Sequence, residues 1–279
     1  MEQEREYLKL LEILIAVAEA NKGIIAKADD RLLDAEGLLQ KFFCHAASAV
    51  YLYRNTSLPD IKANFVDVAS INVLGRTALE TMYVFHYVFN VPSSEEDKDF
   101  RYFSWVYSGL LERQNFTARS PQGKKKLEHE KKIIQSLREK IESSPSFKKI
   151  SCTQQTNLLK KGTWRLESWT EIGLSVGLDN SHAKEFYSYL CGYAHAGNLS
   201  VLQVRQAITA KYQKNLCAAT MGILMIAIAY MIKGYCKLFE KSFVVLNQNS
   251  EMSQTVNFWV EIGATSLKHV KIDWGKAGV

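Results

Sequence analysis

Asn72-Val-Leu-Gly-Arg76-Thr-Ala-Leu-Glu80-Thr-Met-Tyr83-Val-Phe-His-Tyr87-Val88 decides the fold class. Its polar residues recur at steps of four, four, three and four, while Val73, Leu74, Leu79, Val84, Phe85 and Val88 fill the flanking positions. That spacing puts Asn72, Arg76, Glu80, Tyr83 and Tyr87 on one face of a helix and apolar side chains on the rest. Other long segments show the same helical spacing, and only four prolines and fifteen glycines punctuate the 279 residues. The expectation is an all-α fold, a multi-helix bundle of long helices forming one elaborated helical domain over 1–279.

Working outward, the first helix is expected from about Glu2 to Ala20, with Leu8, Leu11, Ile15 and Ala18 as its apolar stripe and Asn21-Lys-Gly23 as its end. Asp29 or Asp30 caps a second helix to about Arg54. Pro59-Asp60 opens the helix quoted above, which Val91-Pro92 stops near Asn90. Ser93-Ser94 with the acids after it starts a fourth, rich in aromatics (Phe100, Tyr102, Phe103, Trp105, Tyr107), that ends near Pro121. Lys124 to Ser143 reads as a charged helix with a narrow stripe of Leu127, Ile134, Leu137 and Ile141, a projecting basic helical arm inserted at about 121–150. Between Phe147 and Asn180 the period is poor, and only short helices near 154–161 and 170–176 are expected. Asp179 caps a helix to about Ala196, a long stretch runs from Leu202 to Phe239, and a last helix covers Thr255 to Leu267.

The net charge is +6, and it is uneven. From Pro121 to Ile150 nine cations, Lys124, Lys125 and Lys126 among them, face four anions, a local excess of five. Such a stretch attracts phosphate backbones or is simply a solvated helix face; no aromatics are interleaved with the lysines as in single-strand binders. The five cysteines are widely spaced with no Cys-x-x-Cys, so neither a disulfide framework nor a zinc site is expected, and buried thiols in a reducing cytoplasm are the simplest account. The charged start carries no secretory signal, and the apolar run from Ala218 to Ile232 is about 15 residues, short of the roughly 18 to 20 that cross a bilayer. A buried central helix and a cytoplasmic protein are expected. Met221, Met225 and Met231 read as core, and so does His45.

Two polar sets stand out inside apolar helices. The first is Arg76 with Glu80, flanked by Asn72 and Tyr83. It is a surface ion pair, a buried clamp, or a site in which Arg76 holds a phosphate or carboxylate through its planar fork while Glu80 orients it. The second is Tyr187-Ser-Tyr-Leu-Cys-Gly-Tyr-Ala-His195-Ala-Gly197, in which Lys184, Tyr187, Cys191, His195 and Asn198 share a face. Gly192, Ala194, Ala196 and Gly197 lack bulk and let a neighbour approach the backbone. His195, at a helix C-terminus where the dipole favours its charged form, caps carbonyls or acts as acid or base. If the two sets form one site, guanidinium and imidazole must lie within about 10 Å. No cofactor box appears: there is no P-loop, Gly-x-Gly-x-x-Gly or Gly-x-Ser-x-Gly, and no carboxylate-histidine spacing for a metal.

The order Arg76-x-x-x-Glu80, then Tyr187-x-x-Leu190-Cys191-x-x-x-His195, over about residues 30 to 240, resembles the DUF5677 family of bacterial helical proteins, itself similar to the HEPN-like bundles. The resemblance implies a metal-independent ribonuclease, or a binder of RNA or another phosphate-bearing ligand, in a bacterial defence or stress system, with the site formed across a homodimer. HEPN-like nucleases carry an arginine four to six residues before the histidine, whereas here those positions are Tyr189, Leu190 and Cys191. The cationic role therefore passes to Arg76, with His195 as acid or base and Glu80 beside them. Asn72, Tyr83, Tyr187, Asn198, Lys124, Lys125 and Lys126 complete the candidate binding set. Two alternatives compete: a non-catalytic interaction module in which Arg76, Glu80 and His195 are structural, and a membrane-associated protein built around Ala218 to Ile232.

Overall fold

In the computed structural model of the protein, residues 2–23, 30–195 and 197–266 are described. They are all-α apart from one short antiparallel ribbon. In chain order the elements are α1 (Glu2–Glu19), α2 (Asp30–Arg54), β1 (Thr56–Leu58), β2 (Ala63–Phe65), α3 (Val68–Phe85), α4 (Glu95–Arg113), α5 (Pro121–Ser143), α6 (Pro145–Lys149) and α7 (Cys152–Lys161). There follow α8 (Trp169–Val176), α9 (Asn180–Ala194), α10 (Asn198–Gln206), α11 (Ala210–Leu238), α12 (Glu240–Gln248) and α13 (Ser250–Ala264). They group into two compact units, residues 1–86 with 169–279, and residues 87–168.

The first unit is organised around α11. Every residue from Ile223 to Ile232 is buried, including Met225 and Met231, because α1, α2, α3, α12 and α13 all pack against this helix. A helix apolar on all sides is stable in water only when neighbours cover it in this way. The 15-residue apolar run understates its length: α11 spans 29 residues, and an 18-residue window has mean hydropathy 2.0. Length and composition alone do not exclude a membrane span, but 72% of that window is covered by the protein's own helices.

α3 is wedged among α2, α9 and α11. Gly75 permits this: a Cβ there would stand 2.6 Å from Thr220 Cγ2 and 3.5 Å from Leu190 Cδ2, so no side chain fits between α3, α9 and α11. Asn72, fully buried on the same side, donates to Val68 O at 2.8 Å and accepts from the Thr220 hydroxyl.

The structure moves several expected boundaries. Pro59 opens a single 3₁₀ turn inside the β1–β2 hairpin, where Lys62 takes a left-handed φ of 53°, and α3 starts only at Val68, capped by Asp67 accepting from Ser70 N. Pro121 opens α5 with Ser120 as its cap, and α4 has already ended at Arg113. The stretch expected as one helix over 202–239 is broken at 207–209, where Thr209 accepts from Tyr212 N and caps α11. α1 turns Tyr7, Leu10, Leu11, Leu14 and Val17 inward, leaving Ile15 45% exposed. Cys44 and Cys152 are exposed rather than buried, whereas burial pushes the Cys217 and Cys236 thiols up to about 12. His45 is only half-buried and, among the described residues, its enclosed Nε2 has no hydrogen-bond partner, so it is not a satisfied core residue. Asp29, Ala196, Leu267 and His269 lie outside the described residues.

The second unit packs α4, α5, α6 and α7 around Phe100, Tyr107, Leu137, Ile141, Phe147 and Leu158. The basic segment expected as an arm, about 121–150, is α5 and α6 of this unit, anchored by Leu137, Ile141 and Phe147.

Candidate functional site

α9 is fixed at its N-terminal end by α13. Asp179 caps it, Asp179 N–H donates to Gly263 O at 2.9 Å, and His182 Nδ1–H donates to the same carbonyl at 2.9 Å while its ring stacks on Phe186. At the other end the helix stops on His195, whose N–H donates to Cys191 O, and Gly197 N–H reaches back to Gly192 O. With Leu190 packed beside Gly75, this path carries the exposed face of α9 alongside Arg76 on α3.

Arg76 is the hub of the resulting cluster. Its Nε donates to Glu80 Oε1 at 3.1 Å, Nη2 to the Tyr187 hydroxyl at 3.2 Å, and Nη1 meets His195 Nε2 at 3.1 Å. The guanidinium carbon lies 5.5 Å from the centre of the Tyr187 ring. Arginine has donors only, so the contact requires a lone pair on His195 Nε2, with any ring proton on Nδ1. Burial works against the charge on Arg76, but Glu80, Tyr187 and Cys191 outweigh it and hold the guanidinium firmly protonated. The Tyr187 hydroxyl is pushed up by burial, its hydrogen bond with Cys191 and the Glu80 charge, against the pull of Arg76.

The cluster is open to solvent. The Arg76 and Glu80 side chains keep 20% and 28% of their exposure, and His195 is exposed. A ligand oxygen reaches the fork by displacing the Tyr187 hydroxyl or the His195 nitrogen from it. A groove of about 560 Å³ between α1 and α13, lined by Arg5, Lys9, Glu12 and Glu251 among others, brings together no comparable acid-base chemistry among the described residues.

Of the sequence-derived candidates, the structure brings together Arg76, Glu80, Tyr187 and His195, with Cys191 hydrogen-bonded to Tyr187. Asn72 is not part of the set; it is consumed by Val68 and Thr220 in the core. Tyr83 is fully buried, and Tyr87 belongs to the second unit. Asn198 is exposed as the first residue of α10 and outside the Arg76 hydrogen bonds. Lys124, Lys125 and Lys126 are exposed on α5 of the second unit. Gly192 faces open space, so the close helix approach foreseen there occurs at Gly75 instead. Trp169 escaped the sequence reading. It stacks on Tyr83, at 6.0 Å and 25°, and lies tilted against Tyr187, at 5.9 Å and 38°. Its only signal was a large aromatic in the poorly periodic segment before Asn180.

No protein-family model, curated protein or solved structure matches the chain.

Proposed function

We propose that the protein is a HEPN-like helical-bundle protein that engages RNA through its phosphates at Arg76 and cleaves it with His195, without calling on a metal. The observation that carries this reading is the 3.1 Å approach of Arg76 Nη1 to His195 Nε2, two residues 119 apart in sequence, the histidine exposed and the arginine partly so. It supplies the arginine–histidine pair that the local sequence before His195 lacks. In this mechanism a phosphate oxygen takes over the Nη1 donor, and the freed His195 Nε2 removes the 2′-hydroxyl proton. The 2′-oxygen attacks phosphorus, the bond to the 5′-oxygen breaks, and Arg76 stabilises the charge built up on the phosphorane while Glu80 holds its Nε.

The reading includes a homodimer, and the leaving 5′-oxygen takes its proton from the imidazolium that His195 becomes on accepting the 2′-hydroxyl proton. Support comes from α10, which directly follows His195 and presents Leu199 (68%), Val201 (55%) and Val204 (43%) to solvent. A cytoplasmic role in a bacterial defence or stress system belongs to the same reading and rests on the resemblance.

The test is total RNA incubated with wild type and with His195→Ala, both checked for folding and dimerisation. Cleavage by wild type alone is expected; intact RNA with both folded proteins rejects the nuclease. One observation favours a second reading, a non-catalytic interaction module. Each nitrogen of Arg76 already has a partner within the chain, so the set can also serve as a clamp between α3 and α9.

A further inference from the structure

We infer that Trp169 is a positioning residue for Arg76, acting through Tyr187. The inference rests on the reading of Arg76 and His195 as the phosphate site and deepens it by naming what aims the arginine.

The cluster is one end of an aromatic column that begins and ends on the same helix. Tyr83 of α3 is its base, fully buried, with its hydroxyl pressed so closely on α8 that a Cβ at Gly173 would lie 3.0 Å from it. Trp169 of α8 stacks on Tyr83, Tyr187 of α9 leans on Trp169, and the Arg76 guanidinium of α3 lies against the Tyr187 ring. Tyr83 and Arg76 are seven residues apart on one helix, so their separation is fixed. Trp169 touches both Tyr83 and Tyr187, so the Tyr187 ring, whose hydroxyl accepts from Nη2, is braced from a fixed point on α3.

Without Trp169 the Tyr187 ring has space on that side and no rotamer restraint from it. The Nη2 bond then becomes one of several geometries, and the fork loses the single orientation that phosphate recognition needs. α8 has anchors besides Trp169. Ile172 and Gly173 are its buried residues, whereas Trp169 is only half-buried. This separates positioning from folding: the indole contributes less to the core than it does to the geometry of its neighbours.

The test uses the full chain with Trp169→Leu and Trp169→Phe. ¹⁵N NMR reads the Arg76 Nε–H and the His195 ring nitrogens, and the affinity for a single-stranded RNA is measured in parallel. Trp169→Leu is expected to melt cooperatively, to shift or broaden both sets of resonances, and to weaken RNA binding about tenfold; Trp169→Phe is expected to restore most of each by keeping a stacking ring. Should Trp169→Leu not fold, Trp169→Met carries the same readout. Unchanged Arg76 and His195 resonances in a folded Leu or Met variant overturn the inference. If wild type binds no RNA but the resonances move, the positioning role stands and the RNA reading falls.

Discussion

Arg76 and Arg101 each sit against a tyrosine ring, one in each unit, and what surrounds their charges differs. The Arg101 guanidinium carbon is 4.3 Å from the centre of the Tyr87 ring, with Nε at 3.1 Å from Asp97 and Nη2 at 3.5 Å from Glu167, and its side chain is 14% exposed. Two carboxylates over-compensate one cation, so the local field repels an incoming anion. Arg76 has one carboxylate, and its other two partners are a tyrosine hydroxyl and an unprotonated imidazole nitrogen. A phosphate oxygen can replace either neutral partner without displacing a charge. The order along the helix differs too: Asp97 precedes Arg101, the favourable order, whereas Arg76 precedes Glu80. The second unit has built a brace, and the first holds an arginine that remains usable.

The largest expected difference between the units is in acid. His86, 7% exposed in the first unit, donates its Nε2–H to Tyr230 O at 3.0 Å; burial, helped by Lys237, lowers its pKa to about 4 against that bond. The unfolded ring takes up its proton near 6.5, so the unfolded state binds more protons between the two values. Stability is therefore complete above about pH 6.5 and falls by about 3 kcal/mol as pH drops to 4. Hydrogen exchange at pH 7 and 4.5 should show protection lost in α11 before α4–α7; equal loss in both units would break the contrast.

Next come the arginines themselves. Arg101→Leu leaves Asp97 and Glu167 facing each other beside a buried ring and should cost about 2 kcal/mol in urea denaturation, discounted for the exposure of Glu167. Arg76→Leu should cost about 1 kcal/mol and act on RNA affinity instead. Equal stability losses would make Arg76 a second brace. The glycines extend the comparison at smaller scale. Gly75→Ala drives a methyl into Thr220 and should lose about 1 to 2 kcal/mol, whereas Gly109 in α4 faces open space and Gly109→Ala should gain about 0.7 kcal/mol by helix propensity. Thermal melting with opposite shifts checks both.

The helical faces were legible in the sequence because their period is intrinsic to the chain; which neighbour each face meets was not. Asn72 and Arg76 are one turn apart, yet a step of four residues overshoots a turn by about 40°, which suffices to aim Asn72 at Thr220 while Arg76 reaches the surface. Ile15 was misplaced for a related reason, since the covering helices of α1 select Leu14 and Val17 instead. The Arg76–Glu80 pair followed from i,i+4 spacing, but its meeting with Tyr187 and His195 depends on Gly75 and on Gly263 anchoring α9, contacts far apart in sequence. Trp169 was missed because α8 is too short to display a period.

The most direct measurement is the affinity of a single-stranded RNA for wild type and Arg76→Ala across a range of salt. Binding at least about tenfold weaker is expected for the variant, with a salt slope reduced by about one, the loss of a single phosphate contact. Identical affinities and slopes for the two folded proteins would contradict it and leave Arg76 a clamp.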